Sequence, residues 1–579
     1  NDNHGALFSD RCCNRPLGTT MLRWARVALG TAVVEASNIW VVDVSGKSLG
    51  DQVAVQTCSG LFNRDETVAG ASFVLGLTSA DAQWLADLEP TSTKTELSVS
   101  DYLTKCLTSG VSKGYIKYST WDGGARQTLP QVITLAGVLD AVVLDDSAHS
   151  PQGATLLRDI DTEWYQWSEL TATKYMFDNY VQLTTGASKT NPGWDTTSLD
   201  QFTVPNMNKG PAIRLFDYVV KRKLFNFFLL LGCVSLTSEH DLTNNMATSN
   251  PWQKPVTVYG YDNTISLAGS IYEAETMCTS THNWGQVASD GASNMAFFSR
   301  TDPVTSPPPQ NSESPQTYDP TKTYISFIIG DGDNVGYLTT SRRSWMEERV
   351  SKCQSGAGCW PLLWSISPHL PYLAPKMLQW YYNEALKTGN DFFVLPPSGH
   401  TYSYPSQQSE PDLSEFVRLT EVDATVIGTT ASVAWEWWDT WHTAMQTYFP
   451  KYATNNVVRS GYAVNVPYLF DTLVRWRYNN FNVYGEKFVL FRPHEWRGTR
   501  GSRVPGVHDT MLSVAEMASQ INGYPKGTAT HIYLTSDGGG NLQDLYDLVG
   551  AFDDHVEVVS HNVLADMALG QVASMEQVV

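Results

Sequence analysis

Residues 323–334, TYISFIIGDGDN, constrain this chain more than any other stretch. An unbroken β-favouring apolar run stops at Gly330 and gives way to two aspartates flanking a glycine, then an asparagine. Apolar side chains at both parities leave no face for water, so the run predicts a strand covered on both sides, as in a parallel sheet packed between helices. Such sheets carry their chemistry at the C-terminal edge, which makes Asp331 and Asp333 the first candidates for function.

The rest of the chain alternates in a way that suits such a sheet. From residue 38, strand patterns at 39–45, 71–77, 114–120 and 140–146 are separated by helical ones, the rhythm of parallel α/β units. Residues 282–299, HNWGQVASDGASNMAFFS, follow no period and read as loop, long enough to reach a neighbouring domain. Residues 303–320 are rich in proline and nearly devoid of apolar residues, which predicts a stiff, exposed connector. Beyond it, runs such as PLLWSIS, DFFVLPPSG, VDATVIGT, VVRSGYAVNV, KFVLFRP and THIYLTSDGGG add further strands. Together with the DGDN strand they predict a (β/α) TIM-like barrel of about seven or eight strands. The organisation expected is an arm (1–37), an N-terminal parallel α/β region (38–302), the linker (303–320) and a C-terminal barrel (321–579).

Composition narrows the class of partner. A formal net charge of -20 at pH 7 repels nucleic acid and anionic membranes. The longest apolar run, residues 224–236, is too short to cross a bilayer. The 19 Trp and 27 Tyr suit sugar faces, although they are spread through both halves as core residues would be. The 8 cysteines include no C-x-x-C pair, which argues against zinc. Cys353 and Cys359 enclose a short glycine-containing loop that a disulfide can close, favouring an oxidising compartment.

Polar residues recur where the barrel rim would lie: Asp331, Asp333 and Asn334; Ser398, His400, Tyr402 and Tyr404; His494 and Glu495; Asp537. Glycoside hydrolysis needs two carboxyl groups, one to protonate the leaving oxygen and one to activate water or attack. Side chains at i and i+2 of an extended chain point the same way roughly 7 Å apart, so Asp331 and Asp333 can form the pair, or either can face Glu495 or Asp537 across the mouth. Asn334, Ser398, His400, Tyr402, Tyr404, His494 and Asp537 would then bind substrate. The DGDN segment serves equally as a helix cap, because Asp and Asn complement the helix dipole, or as a Ca²⁺ ligand set. H-E-x-x-H and G-x-S-x-G motifs are missing, and GDGDN lacks dinucleotide and P-loop spacing, so no cofactor is expected.

The segment PPSGHTYSYP resembles the naming motif of the GxGYxYP family of putative glycoside hydrolases, through Gly399, Tyr402, Tyr404 and Pro405, with Thr401 where the motif has its second glycine. The DGDN strand end upstream, WSISPHLPYLAP between them, and SGLFNRD near residue 60 are also similar to that family and its companion N-terminal domain. The resemblance implies a two-part, secreted or cell-surface protein with a barrel, acting on carbohydrate through glycosidase chemistry. Two other classes fit the residues: a non-catalytic carbohydrate-binding protein, and a structural subunit that assembles as a homo-oligomer or filament through residues 1–20, which carry Cys12 and Cys13.

Overall fold

The structure is a computed structural model. It describes residues 38–64, 70–118, 128–145, 153–184, 202–203, 215–226, 246, 256–259, 280–281, 283–289, 291–356, 358–437, 440–464, 476–478, 480–498, 512–534 and 541–576.

All seven residues of the Thr323–Ile329 strand are buried. Its neighbours in the sheet run, in order, Asp391–Val394, Leu362–Ser365, Thr323–Ile329, Ala529–Leu534 and Glu495–Trp496, every pair parallel, and Val556–Val558 also pairs with the central strand. A second sheet holds Ala431–Ala434, Ser460–Ala463 and Phe488–Phe491 in parallel, with Phe481–Tyr484 antiparallel at its edge. A parallel bridge between Leu395 and Ser432 joins the two. The pairings among the described residues do not close a ring, so a mixed α/β architecture with parallel sheets is what is established.

The two parities of the strands serve two cores, as the double-sided apolar pattern requires. Ile325, Phe327 and Ile329 belong to one core. Tyr324, Ile328, Val433, Tyr462, Phe491 and Tyr533 belong to the other, with Val563, Leu564 and Met567 of the C-terminal helix His561–Glu576. One expected strand is corrected: VDATVIGT continues the helix Asp412–Ile427, whose buried Leu413, Phe416, Val417, Thr420, Ala424 and Ile427 keep helical spacing until the left-handed Gly428 ends it. The strand follows at Ala431–Ala434.

The N-terminal region builds three small parallel sheets, centred on Asn38–Asp43, Gly114–Lys117 and the adjacent pair Val256–Tyr259 and Phe202–Thr203. The segment read as loop contains a buried strand, Trp284–Val287, and a short helix, Met295–Phe298. Four residues are too few to show a period, and their burial on both faces erases the alternation. Arg343 joins this region to the C-terminal one: it lies over the rings of Trp84 and Trp380 and pairs with Asp87 and Glu347. Cys353 and Cys359 are bonded, with Cα atoms 4.9 Å apart, and a second disulfide not anticipated from sequence, Cys58–Cys106, ties helix Leu49–Arg64 to helix Val99–Thr108.

Residues 303–320 contain no helix or strand, as their prolines require, but they do not hang free. Val304 N–H donates to Pro371, Gln310 to the Ile427 carbonyl, Asn311 Nδ2 to the Ala385 and Asp391 carbonyls, and Tyr318 to Gly527. The segment is a strap laid along the C-terminal region. Limited proteolysis of native protein is expected to spare 303–320, whereas Asn311→Ala, which removes two of these bonds, should make it the first site cut; early cleavage of the wild type within the strap would contradict the clamp.

Candidate active site

The DGDN turn is pressed flat against its neighbouring strands. A Cβ on Gly332 would collide with the Ser365 carbonyl, so only glycine lets the turn pass. Its N–H donates to Ser365 Oγ at 2.9 Å, and that hydroxyl donates to the Ile329 carbonyl at 2.8 Å. Asp331 adopts a left-handed conformation, φ 58°, and its N–H donates to the Tyr533 hydroxyl at 2.9 Å. The chain therefore turns between the two aspartates, and the extended-chain spacing assumed for them does not apply. Asp331 lies 3.5 Å from Arg342, whose guanidinium also donates twice to the Gly330 carbonyl. Asp333 instead lines a narrow cleft. Asn334 is the cap of helix Val335–Thr339, its side chain accepting from Tyr337 N–H.

The GHTYSYP loop, which follows strand Asp391–Val394, lines the same cleft. Gly399, His400, Thr401 and Tyr402 line it together with Asp333, Ser367, His369 and Gln286. The two sequence motifs thus meet in one place. Ser398 is wholly buried and donates to the Ser403 and Trp435 carbonyls, closing the loop on itself. Tyr402 exchanges two backbone hydrogen bonds with Gln286, so the N-terminal region supplies part of the wall. Tyr404 is buried beside Trp437, with its N–H donating to Ser280 Oγ. Thr401, which replaces the motif's second glycine, is not among the left-handed residues, whereas Gly399 is, at φ 109°. Its side chain fills the space above Gly285, where a Cβ would collide with it.

Two carboxyl groups that sequence reasoning passed over are found here. Asp423, on helix Asp412–Ile427, places Oδ2 2.7 Å from His400 Nδ1; burial pushes this carboxyl up while His400 pulls it back. Glu436, in a tryptophan-rich run that reads as a packed face, is fully buried and accepts from Ser406 N–H at 2.9 Å and Ser406 Oγ at 2.6 Å, with burial pushing it up to about 8. It holds the end of the motif loop. His369 Nε2 donates to the His400 carbonyl at 2.8 Å, and burial pushes His369 down to about 3, so it is a neutral prop.

Glu495 is buried, paired with Arg497 at 2.8 Å, and lies in register beside Tyr533. Burial pushes the Tyr533 phenol far up, and the charges of Asp331, Asp333 and Glu495 push in the same direction. The His494 carbonyl accepts from Tyr533 N–H at 2.8 Å, while its ring bonds the Tyr524 hydroxyl at 3.1 Å and burial pushes it down to about 4. Asp537 lies outside the described residues. Among the described residues, no cluster of three His, Cys, Asp or Glu is placed to hold a metal ion, and no helix is long and apolar enough to cross a membrane.

Parallel sheets with helices packed against them define the class as mixed α/β. Residues 321–568 match the model of the GxGYxYP putative glycoside hydrolase C-terminal domain, the family that the motif at Gly399 to Pro405 resembles. No curated protein sequence matches the chain. Among solved structures, a putative hydrolase from Bacteroides thetaiotaomicron is 17% identical with a TM-score of 0.70, covering 93% of this chain and 96% of its own, which shows a shared fold. A 4-alpha-glucanotransferase from Thermococcus litoralis, at 8% identity and a TM-score of 0.28 over 42% of this chain and 40% of its own, is too distant to carry an argument.

The packing of Thr401 over Gly285 predicts that Gly285→Ala costs about 1–3 kcal/mol in chemical denaturation through overpacking, and that Thr401→Gly in the same chain relieves most of it. Glu436 has a folded pKa above its unfolded one, so its contribution to stability is complete below the unfolded value and is lost as pH rises toward about 8. Glu436→Gln, which keeps the neutral shape, should therefore flatten the fall of Tm between pH 5 and 8.

Proposed function

We propose that this protein is a secreted or cell-surface hydrolase that cleaves a glycosidic bond in the cleft between the DGDN turn and the GHTYSYP loop. The observation that carries this reading is the convergence of Asp333 with His400 and Tyr402 on one cleft at the ends of parallel strands. The family of the C-terminal segment points to carbohydrate, and the hydrolase description of the Bacteroides protein agrees. Two disulfides favour an oxidising compartment. The second core, around the C-terminal helix, supports reading the two joined sheets as the wall of a (β/α) barrel, with 38–302 as a companion domain that completes the cleft through Gln286.

In this account Asp333 is the rim acid that meets the glycosidic oxygen, because it is the aspartate of the turn that lines the cleft. Asp331 and Glu495, held by Arg342 and Arg497, set the field around Tyr533 and the turn. Tyr402, which lines the cleft, is buried against Trp435, with ring centroids 6.0 Å apart.

A broad panel of aryl glycosides and polysaccharides tests the reading. Wild-type protein is expected to cleave at least one member, and Asp333→Asn to lower kcat by about 100-fold or more with glycan binding retained. Wild type that binds a glycan but cleaves nothing would establish the non-catalytic alternative instead.

A further inference from the structure

His400 is 3% exposed, and its ring is built like a proton-transfer group. Nδ1 is engaged by Asp423 Oδ2 at 2.7 Å, while Nε2 is buried with no hydrogen-bond partner among the described residues. Leaving a buried ring nitrogen unmatched costs about 1–3 kcal/mol, and the surroundings go further than tolerating it. The backbone of His400 is fixed at both ends, its N–H donating to Thr420 Oγ1 at 3.1 Å and its carbonyl accepting from His369 Nε2. A carboxylate on Nδ1 keeps the proton there and leaves the Nε2 lone pair available, the same division of labour that orients a histidine base in other hydrolases. His400 and Asp333 both line the same small pocket.

We infer that His400 is the catalytic base of this site, with Asp423 as its positioning residue, and that the partner of Asp333 is this histidine rather than Asp331. The inference rests on the hydrolase reading given above. Water donates a proton to His400 Nε2 as its oxygen bonds to the anomeric carbon. The bond from that carbon to the glycosidic oxygen breaks, and the leaving oxygen takes a proton from the Asp333 carboxyl. Proton exchange with solvent then returns both groups to their starting forms. No oxidant, reductant or further reactant is needed. The groups that face the imidazole are Asp423 and Glu415 from helix Asp412–Ile427, His369 from the segment after strand Leu362–Ser365, and Asp333 in the same pocket.

The experiment measures kcat and kcat/KM of the full chain, on any glycoside the wild type cleaves, across pH and leaving-group acidity. His400→Gln is expected to lose about 100-fold or more in kcat, equally for good and poor leaving groups. Asp333→Asn should lose most with poor leaving groups, which need the acid. Asp423→Asn should lower the plateau and move the acidic limb of kcat/KM to lower pH, because it removes the negative charge beside the ring; a purely structural aspartate would leave the limb in place. If His400→Gln does not fold, the Asp423→Asn profile decides. Wild-type kcat in His400→Gln, or an unmoved limb in Asp423→Asn, with Asp333→Asn inactive, overturns the base assignment while leaving the hydrolase reading intact. A wild type that cleaves nothing overturns both.

Discussion

The carbonyl at the end of a strand buried on both faces must find a donor, and here it finds Arg342. That guanidinium donates twice to Gly330 and lies beside Asp331, so the same side chain that satisfies the strand's last carbonyl also neutralises the first acid of the turn. With Arg342 behind it, Tyr533 on one side and Ser365 on the other, the turn has little freedom. Asp331 is held against the scaffold, and Asp333, two residues on, is delivered to the cleft. The position of the candidate acid is thus a consequence of backbone hydrogen-bond accounting at one strand end.

The same economy governs the other segment that lines the cleft. The GHTYSYP loop is closed by Ser398 on its own backbone, anchored at its far end by the buried Glu436, and zipped to the N-terminal region through Gln286. Thr401 could not sit there unless the facing strand carried Gly285. The departure from the family motif and the compensating glycine lie in different regions of the chain, which makes the cleft a joint product of both.

Much of this was legible in the sequence for identifiable reasons. The β-favouring run from Tyr324 to Ile329, ending in GDGDN, reads as a buried strand entering a polar turn, and Asn334 caps the helix that follows, as the capping reading has it. The Cys353–Cys359 loop was legible because a short loop limits its partners. Asp423 and Glu436 were not legible. An acid on the inward face of an amphipathic helix looks like any polar interruption until the strand it faces is known, and an acid among tryptophans reads as the edge of a packed surface. Adjacency to Glu495 placed His494 on the same rim in the sequence; its carbonyl accepts from Tyr533 N–H, while its ring turns to Tyr524, a partner that sequence does not name. The strap at 303–320 showed its extended conformation in its prolines, while its hydrogen bonds to the C-terminal region depend on carbonyls far away in sequence.

The central claim is that the cleft between Asp333 and His400 receives a sugar, and a crystal structure of Asp333→Asn protein soaked with a glycan from the binding panel addresses it most directly. The account predicts a sugar ring seated between residue 333 and His400, with an oxygen within hydrogen-bond distance of Nε2 and Asp423 still on Nδ1. A glycan bound elsewhere on the surface, with His400 Nε2 unchanged and the cleft closed, would contradict it.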